Sequence, residues 1–339
     1  MKWPVDRHQS CPCDWIIADI GGTNARFTLW SPDAGISSDA AVSYRNEDFP
    51  DLPALVAAYQ RAVGKGAERA LLALALPMTG GQMQMTNRPW TFTARGLQRA
   101  LGLTTLSLVN DFVAAAAGIG GLAALELAQI GGDGPGPGPL LILGPGTGLG
   151  IAAIVREAGT EIVLASEAGH MGAAPTHDDA LLVIERVRSH HGRVSWERLL
   201  CGDGLAAFDA IARSSAHVRS PADVAQAAFA GDTPARRAVS AFAFALGEFA
   251  GDLCLAFRAT GGVYLVGGVL QGLGCALDVG ALRAGFENKG RLRGVLSGVP
   301  CFRVLASDIA MRGLGRLLDG SVRAPLLEVL STDESTREV

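Results

Sequence analysis

Apolar and polar positions along the chain follow two rhythms. Residues 15–20 (WIIADI) form an apolar run that reads as a buried strand, and 25–30 (ARFTLW) alternates with period two after Gly21-Gly22. Strand, Gly-Gly turn and strand predict a hairpin. Residues 51–63 place Leu52, Leu55, Val56, Tyr59 and Val63 on one helical face. A buried strand is expected at 69–77, a short helix at 94–102, a strand at 106–109 ending on Asn110-Asp111, and a helix at 112–119. The stretch 131–139 (GGDGPGPGP) suits no regular element and is expected to be an exposed loop. A second strand–glycine–strand unit follows, with strands at 140–143 and 151–155 around GPGTGLG at 144–150. The two units are alike enough to suggest two halves built on one plan. Helices are predicted at 180–191, 204–213, 221–230, 234–257 and 309–318, and a strand at 262–266 meets Gly267-Gly268. Strands and helices alternate throughout, so the class is α/β with mixed sheets.

Composition narrows this picture. At 339 residues, with 49% hydrophobic and 18% charged residues, the chain is long enough for two domains with sizeable cores. The 44 glycines imply many tight turns or close backbone approaches. A net charge of −4 argues against nucleic acid or an anionic membrane surface as the main partner. Mean hydropathy is +0.27, yet the longest uncharged stretches, 134–155 and 260–277, are broken by glycine, so no spanning helix is expected. The first 14 residues, MKWPVDRHQSCPCD, lack an apolar core, so no signal peptide is read there. The six cysteines are scattered apart from Cys11-Pro-Cys13 and show no zinc spacing. Free thiols in a soluble, cytoplasmic protein are the expectation.

The glycine motifs carry the first candidate chemistry. Asp19-Ile20-Gly21-Gly22-Thr23 is followed by a strand, whereas a dinucleotide fingerprint needs a helix there. A Walker loop needs a lysine, and none occurs in 15–30. What remains is a hairpin whose backbone N–H groups face an anion, or an ordinary turn with a solvated aspartate. Asp19 ends an apolar strand, where a carboxylate is costly unless it meets donors or a cation such as a hydrated Mg²⁺ on phosphates. Gly146-Thr147-Gly148 adds a hydroxyl amid free N–H groups, and Gly267-Gly268 offers a flat surface that a purine can cover or a plain turn.

Polar residues gather elsewhere. Asn110 and Asp111 follow a strand end, where open α/β sheets bind ligands. Both are good helix caps, and an aspartate there can also act as general base on a hydroxyl. Glu167 and His170 sit three apart in a glycine-containing turn and suit vicinal hydroxyls, or belong to a surface loop. No third metal ligand lies nearby. Glu197 alone reads as an ordinary Glu at a helix start.

DIGGTNARF, LVNDF, LGPGTGLG, EAGHMGAAP, SWERLLCGDGL and GGVYLVGG together closely resemble the bacterial glucokinases of the hexokinase–actin–chaperone ATPase superfamily, over roughly 14–320. The resemblance implies a two-domain actin-like (ribonuclease H-like) fold with an interdomain cleft. It divides the chain into a leader at 1–13, a small domain of 14–121 plus 309–320, a large domain of 122–308 and a polar tail at 321–339. It further implies ATP phosphates on Ala18, Asp19, Ile20, Gly21, Gly22 and Thr23 and on Gly146, Thr147 and Gly148, with Gly267 and Gly268 nearby and Mg²⁺ held through water by Asp19. Glucose contacts fall on Asn110, Asp111, Glu167, His170 and Glu197, with Asn87 a further substrate-side residue and Asp111 the base. The cysteine-rich zinc motif of the related repressor and kinase class is absent after His170, which points to the zinc-free branch.

The expected reaction is ATP-dependent phosphorylation of glucose at its 6-hydroxyl, the first step of glucose use in glycolysis, by a homodimer. A kinase for another hexose or amino sugar is one alternative. A sugar-sensing regulator or actin-like module is another; only 14 residues precede the first strand, too few for a DNA-binding helix-turn-helix.

Overall fold

The computed structural model describes residues 14–64, 67–76, 78, 81–85, 88–330 and the backbone of 337–338. Asn87 and the Cys11-Pro-Cys13 leader lie outside the described residues. The chain forms two compact units and passes between them four times. The first holds residues up to Leu122, Glu157–Leu164 and the part from Ser307 onward; the second holds Ala123–Arg156 and Ala165–Ala306.

In the first unit, the sheet runs in the order Leu327–Leu330, Thr105–Asn110, Arg69–Leu74, Trp15–Ile20, Asn24–Ser31, with shorter strands at its margins. The three central strands are parallel and their outer neighbours antiparallel. Both faces are covered, which is why 15–20 and 69–74 are continuously apolar rather than alternating. On one face Ile16, Ala18, Leu72 and Leu108 pack with Leu55 and Tyr59 of the helix Leu52–Val63. That helix starts where Asp51 accepts a hydrogen bond from Ala54 N–H (2.8 Å). The other face carries the helices Asp111–Gly118 and Ile309–Leu318. These two cross so closely that a Cβ at Gly313 would overlap the Ala114 carbonyl, and one at Gly118 the Ile309 carbonyl.

The part expected to be a polar tail supplies a sheet strand instead. Leu327 and Val329 alternate with Glu328 and Leu330, are buried, and pair antiparallel with Thr105–Leu108. Two inward-facing residues are too short a signal to separate from a tail by periodicity. Glu157–Leu164 groups with the first unit: Glu161 and Ile162 pair with Val322 and Arg323, and Glu161 meets Arg316 at 2.9 Å.

In the second unit, the strands lie in the order Leu149–Glu157, Leu140–Pro145, Gly262–Leu265, Cys301–Val304, Leu127–Gly131. The helix Thr233–Phe257 runs through its core beside Gly202–Ala212 and Val279–Glu287. It is the only helix among the described residues long and apolar enough to cross a membrane, and most of its apolar surface is buried in this core. The glycine-proline stretch is irregular as expected but not free-standing. Gly136 N–H donates to Thr260 O (3.2 Å) and Gly261 N–H to Pro139 O (3.0 Å).

Candidate active site

Strand register gathers the first group of candidate residues. Ile20 pairs with Leu74, and Leu74 with Asn110, so three parallel strands end in one row. The glycine turn leaves the first strand of that row and Asp111 the third, about 10 Å apart at ordinary strand spacing. Ala18 and Ile20 are core residues with no exposed side chain, so they present only backbone to a ligand. Gly21 and Gly22 are half-buried and Thr23 is exposed. The turn closes where Gly21 N–H donates to Asn24 O (3.1 Å).

The two aspartates beside this turn are electrostatically linked. Burial raises the Asp19 carboxyl, opposed by the Arg26 guanidinium across the hairpin. Burial also pushes Asp111 up to about 6, and the Asp19 charge pushes the same way. Two hydrogen bonds from backbone N–H groups, including Phe112 N–H at 2.8 Å, partly offset this. Asn110 is the helix cap: its Oδ1 accepts from Phe112 and Val113 N–H (2.9 and 3.2 Å), and its amide donates to Leu76 O (3.2 Å). The capping duty falls on Asn110.

The second unit assembles the other group. GPGTGLG joins two antiparallel strands, with Gly146 N–H donating to Gly148 O (2.8 Å). Gly146 O accepts from Gly202 N–H (2.9 Å), which ties the turn to the start of a helix, and Thr147 is left exposed. Glu197 stands in the short helix Trp196–Leu199, capped by Ser195. Its Oε2 accepts from Leu149 N–H (3.1 Å) and fills the space beside Gly148, where an added Cβ would lie 2.6 Å away. Its Oε1 faces His170 Nδ1 at 3.7 Å, and His170 Nε2 faces Glu167 at 3.8 Å. These gaps exceed a hydrogen bond, so all three side chains keep capacity for hydroxyl groups. Glu167 and His170 are exposed and Glu197 half-buried.

Backbone contacts explain how residues 27 positions apart meet. Arg193 donates to His170 O (2.7 Å), Trp196 N–H to Met171 O (3.0 Å), and Ala173 N–H to Val194 O (3.1 Å). Gly169 lets the turn rest on the neighbouring strand, since a Cβ there would lie 2.6 Å from Leu149 O. Gly267, at φ +102°, sits against Pro145 O where no side chain fits, and Gly268 is open on its outer side. Arg193, the Glu197–Leu149 bond and Asn46, which binds the first glycine turn, carry no signal in the sequence pattern.

Two mixed sheets, a glycine turn on each, and an aspartate at the end of a parallel strand form the frame of an α/β protein of two compact units. A family model described as Glucokinase matches residues 16–321. The chain is 35% identical over 306 residues to a glucokinase of Salmonella typhi, covering 88% of this chain and 95% of the relative. It is 37% identical over 315 residues to a glucokinase of Cupriavidus pinatubonensis, covering 89% and 91%. Among solved structures, a glucokinase from an Antarctic psychrotroph matches with TM-score 0.76 and 29% identity, over 90% of this chain and 98% of that one. A ROK family glucokinase from Streptomyces griseus, solved with glucose and AMPPNP, shares the fold at TM-score 0.59 and 19% identity, over 90% and 98%. The chain belongs to the glucokinase family and is an enzyme of the kinase class.

Proposed function

We propose that the chain phosphorylates the 6-hydroxyl of glucose with ATP. The carrying observation is Asp111: a helix start capped by Asn110 holds its buried carboxylate at a strand end, beside the Asp19–glycine turn. Above about pH 6 its carboxylate accepts the hydroxyl proton. The sugar oxygen then bonds to the γ-phosphorus as the bond to the β-bridging oxygen breaks, giving ADP without a covalent enzyme intermediate. Glu167, His170 and Glu197 are the proposed hydroxyl partners, with Asn110 and Asn87 on the substrate side. Backbone N–H groups of the two glycine turns are the proposed phosphate donors.

The donor set fits Mg²⁺ only in one way. No three His, Cys, Asp or Glu side chains among the described residues converge on a metal position. A single carboxylate, Asp19, at the turn suits an ion carried mainly by nucleotide phosphates and reached through water. When bound, such an ion neutralises phosphate charge. Cytoplasmic location, a homodimer and a place at the start of glucose use belong to the same reading.

A coupled assay with ATP–Mg²⁺ and a panel of hexoses and amino sugars tests it. Glucose should give the highest kcat/KM. A clear preference for another sugar would move the assignment to a different hexose kinase, and nucleotide binding without turnover would make the chain a sensor.

A further inference from the structure

The geometry points to Asn46 as the residue that positions the first glycine turn for phosphate. It follows the strand Val42–Arg45, which pairs with Asn24–Phe27 and so delivers Asn46 beside the turn. Asn46 is fully buried. Its side-chain amide donates to Gly21 O (2.8 Å) and its backbone N–H to Thr23 O (2.9 Å). The carbonyls on either side of Gly22 are therefore both held by one residue.

The consequence follows from peptide geometry. In a trans peptide the C=O of one residue and the N–H of the next point in opposite directions. The structure contains no cis peptide bonds among the described residues. Holding Gly21 O toward Asn46 thus turns the Gly22 N–H away from it. No acceptor among the described residues takes that N–H, and Gly22 is only half-buried. Glycine turns rotate their peptides at little cost, so an external restraint decides which face shows N–H and which shows C=O. A carbonyl turned the other way would face an anion with its negative end. The Asn46 amide is oriented by its acceptor, since only its nitrogen can donate to Gly21 O. Its Oδ1 has no partner among the described residues, so the donor bond is the one that anchors the side chain.

This role rests on the proposed nucleotide function of the turn. Three variants separate the two: Asn46→Ala, Asn46→Leu and Gly22→Val, titrated with AMPPNP–Mg²⁺ and separately with glucose, with kcat and the KM for ATP measured alongside. Asn46→Leu keeps the side-chain shape and removes the amide donor without adding charge, so it serves if Asn46→Ala fails to fold. Both Asn46 variants should weaken AMPPNP binding roughly tenfold and raise the KM for ATP, with kcat at saturation and glucose affinity within about twofold; one buried hydrogen bond is worth about that much. Wild-type AMPPNP affinity in the folded Asn46 variants, with Gly22→Val weakened, would overturn the role of Asn46. Equal losses for AMPPNP and glucose would also overturn it, marking a purely structural residue. Unchanged nucleotide affinity in Gly22→Val would remove the turn from the phosphate site altogether.

Discussion

At Asp111, burial and a neighbouring carboxylate act together, and both effects can be measured. The carboxyl titrates at about 6 in the folded protein against 3.8 for the free residue, so the folded state binds that proton more tightly than the unfolded one. The ionised form therefore opposes folding, a cost that appears as pH rises from about 4 to about 6 and is complete above. Asp111→Asn should be more stable than wild type at pH 7.5, by on the order of 1–3 kcal/mol and with a higher Tm, and the difference should vanish near pH 4. The same substitution should lower kcat by ~10²-fold or more, with glucose affinity within an order of magnitude. Wild-type kcat/KM should fall below about pH 6 as one group protonates. More than about a tenth of kcat remaining in Asp111→Asn would remove the residue from the base role. Glu167→Gln should weaken glucose by roughly 1–3 kcal/mol and leave ATP near normal, because an amide offers one acceptor where the carboxylate offers two. Calorimetric titration of each ligand reads both effects.

Glu197 shows how elements, rather than single residues, build the proposed sugar side. One carboxylate touches the GPGTGLG turn through Leu149 N–H and faces the EAGH turn through His170. Gly148→Ala tests this join: its Cβ would enter the space of Glu197 Oε2. The carboxylate must shift, so the variant should raise the KM for both ATP and glucose, unlike Glu167→Gln. Steady-state kinetics with each substrate varied would show it, and a change confined to ATP would mean that Glu197 does not bridge the two turns. The helix pair behind Asp111 makes a stricter demand. Gly313→Ala puts a methyl group against a rigid backbone carbonyl, which costs typically about 1–3 kcal/mol or more in a packed core. A Tm lowered by several degrees is the expected readout.

Across the whole molecule, two separate cores carry the two groups of site residues. The strand Leu327–Leu330 belongs to the first core, which gives its truncation a definite outcome. Ending the chain after Gly320 exposes the strand Thr105–Asn110 along one edge and removes Leu327 and Val329 from the core. Losing two buried aliphatic side chains costs roughly 3–6 kcal/mol before relaxation. The truncated protein should melt well below the full chain and lose activity through Asp111, which follows that strand. Unaltered melting would show that the strand adds nothing to the first core.

Local pattern determined most of the elements and the order of the motifs. The apolar runs at 15–20 and 69–74, the helical face at 52–63 and the glycine turns all read directly, because each is settled by neighbours a few residues apart. The cap at Asn110 was also legible, since an Asn just before an apolar helical run is a good N-cap. Convergence in space was not. Glu197 reads as a plain helix-start Glu until backbone bonds at 193–196 bring it to His170, and Asn46 looks like any loop residue until strand pairing sets it under the glycine turn. The strand at 327–330 looked like a tail for the same reason: its two inward residues acquire meaning only against Thr105–Leu108. Periodicity reports what each residue needs from water, whereas register and close backbone approach decide which distant residues share one site.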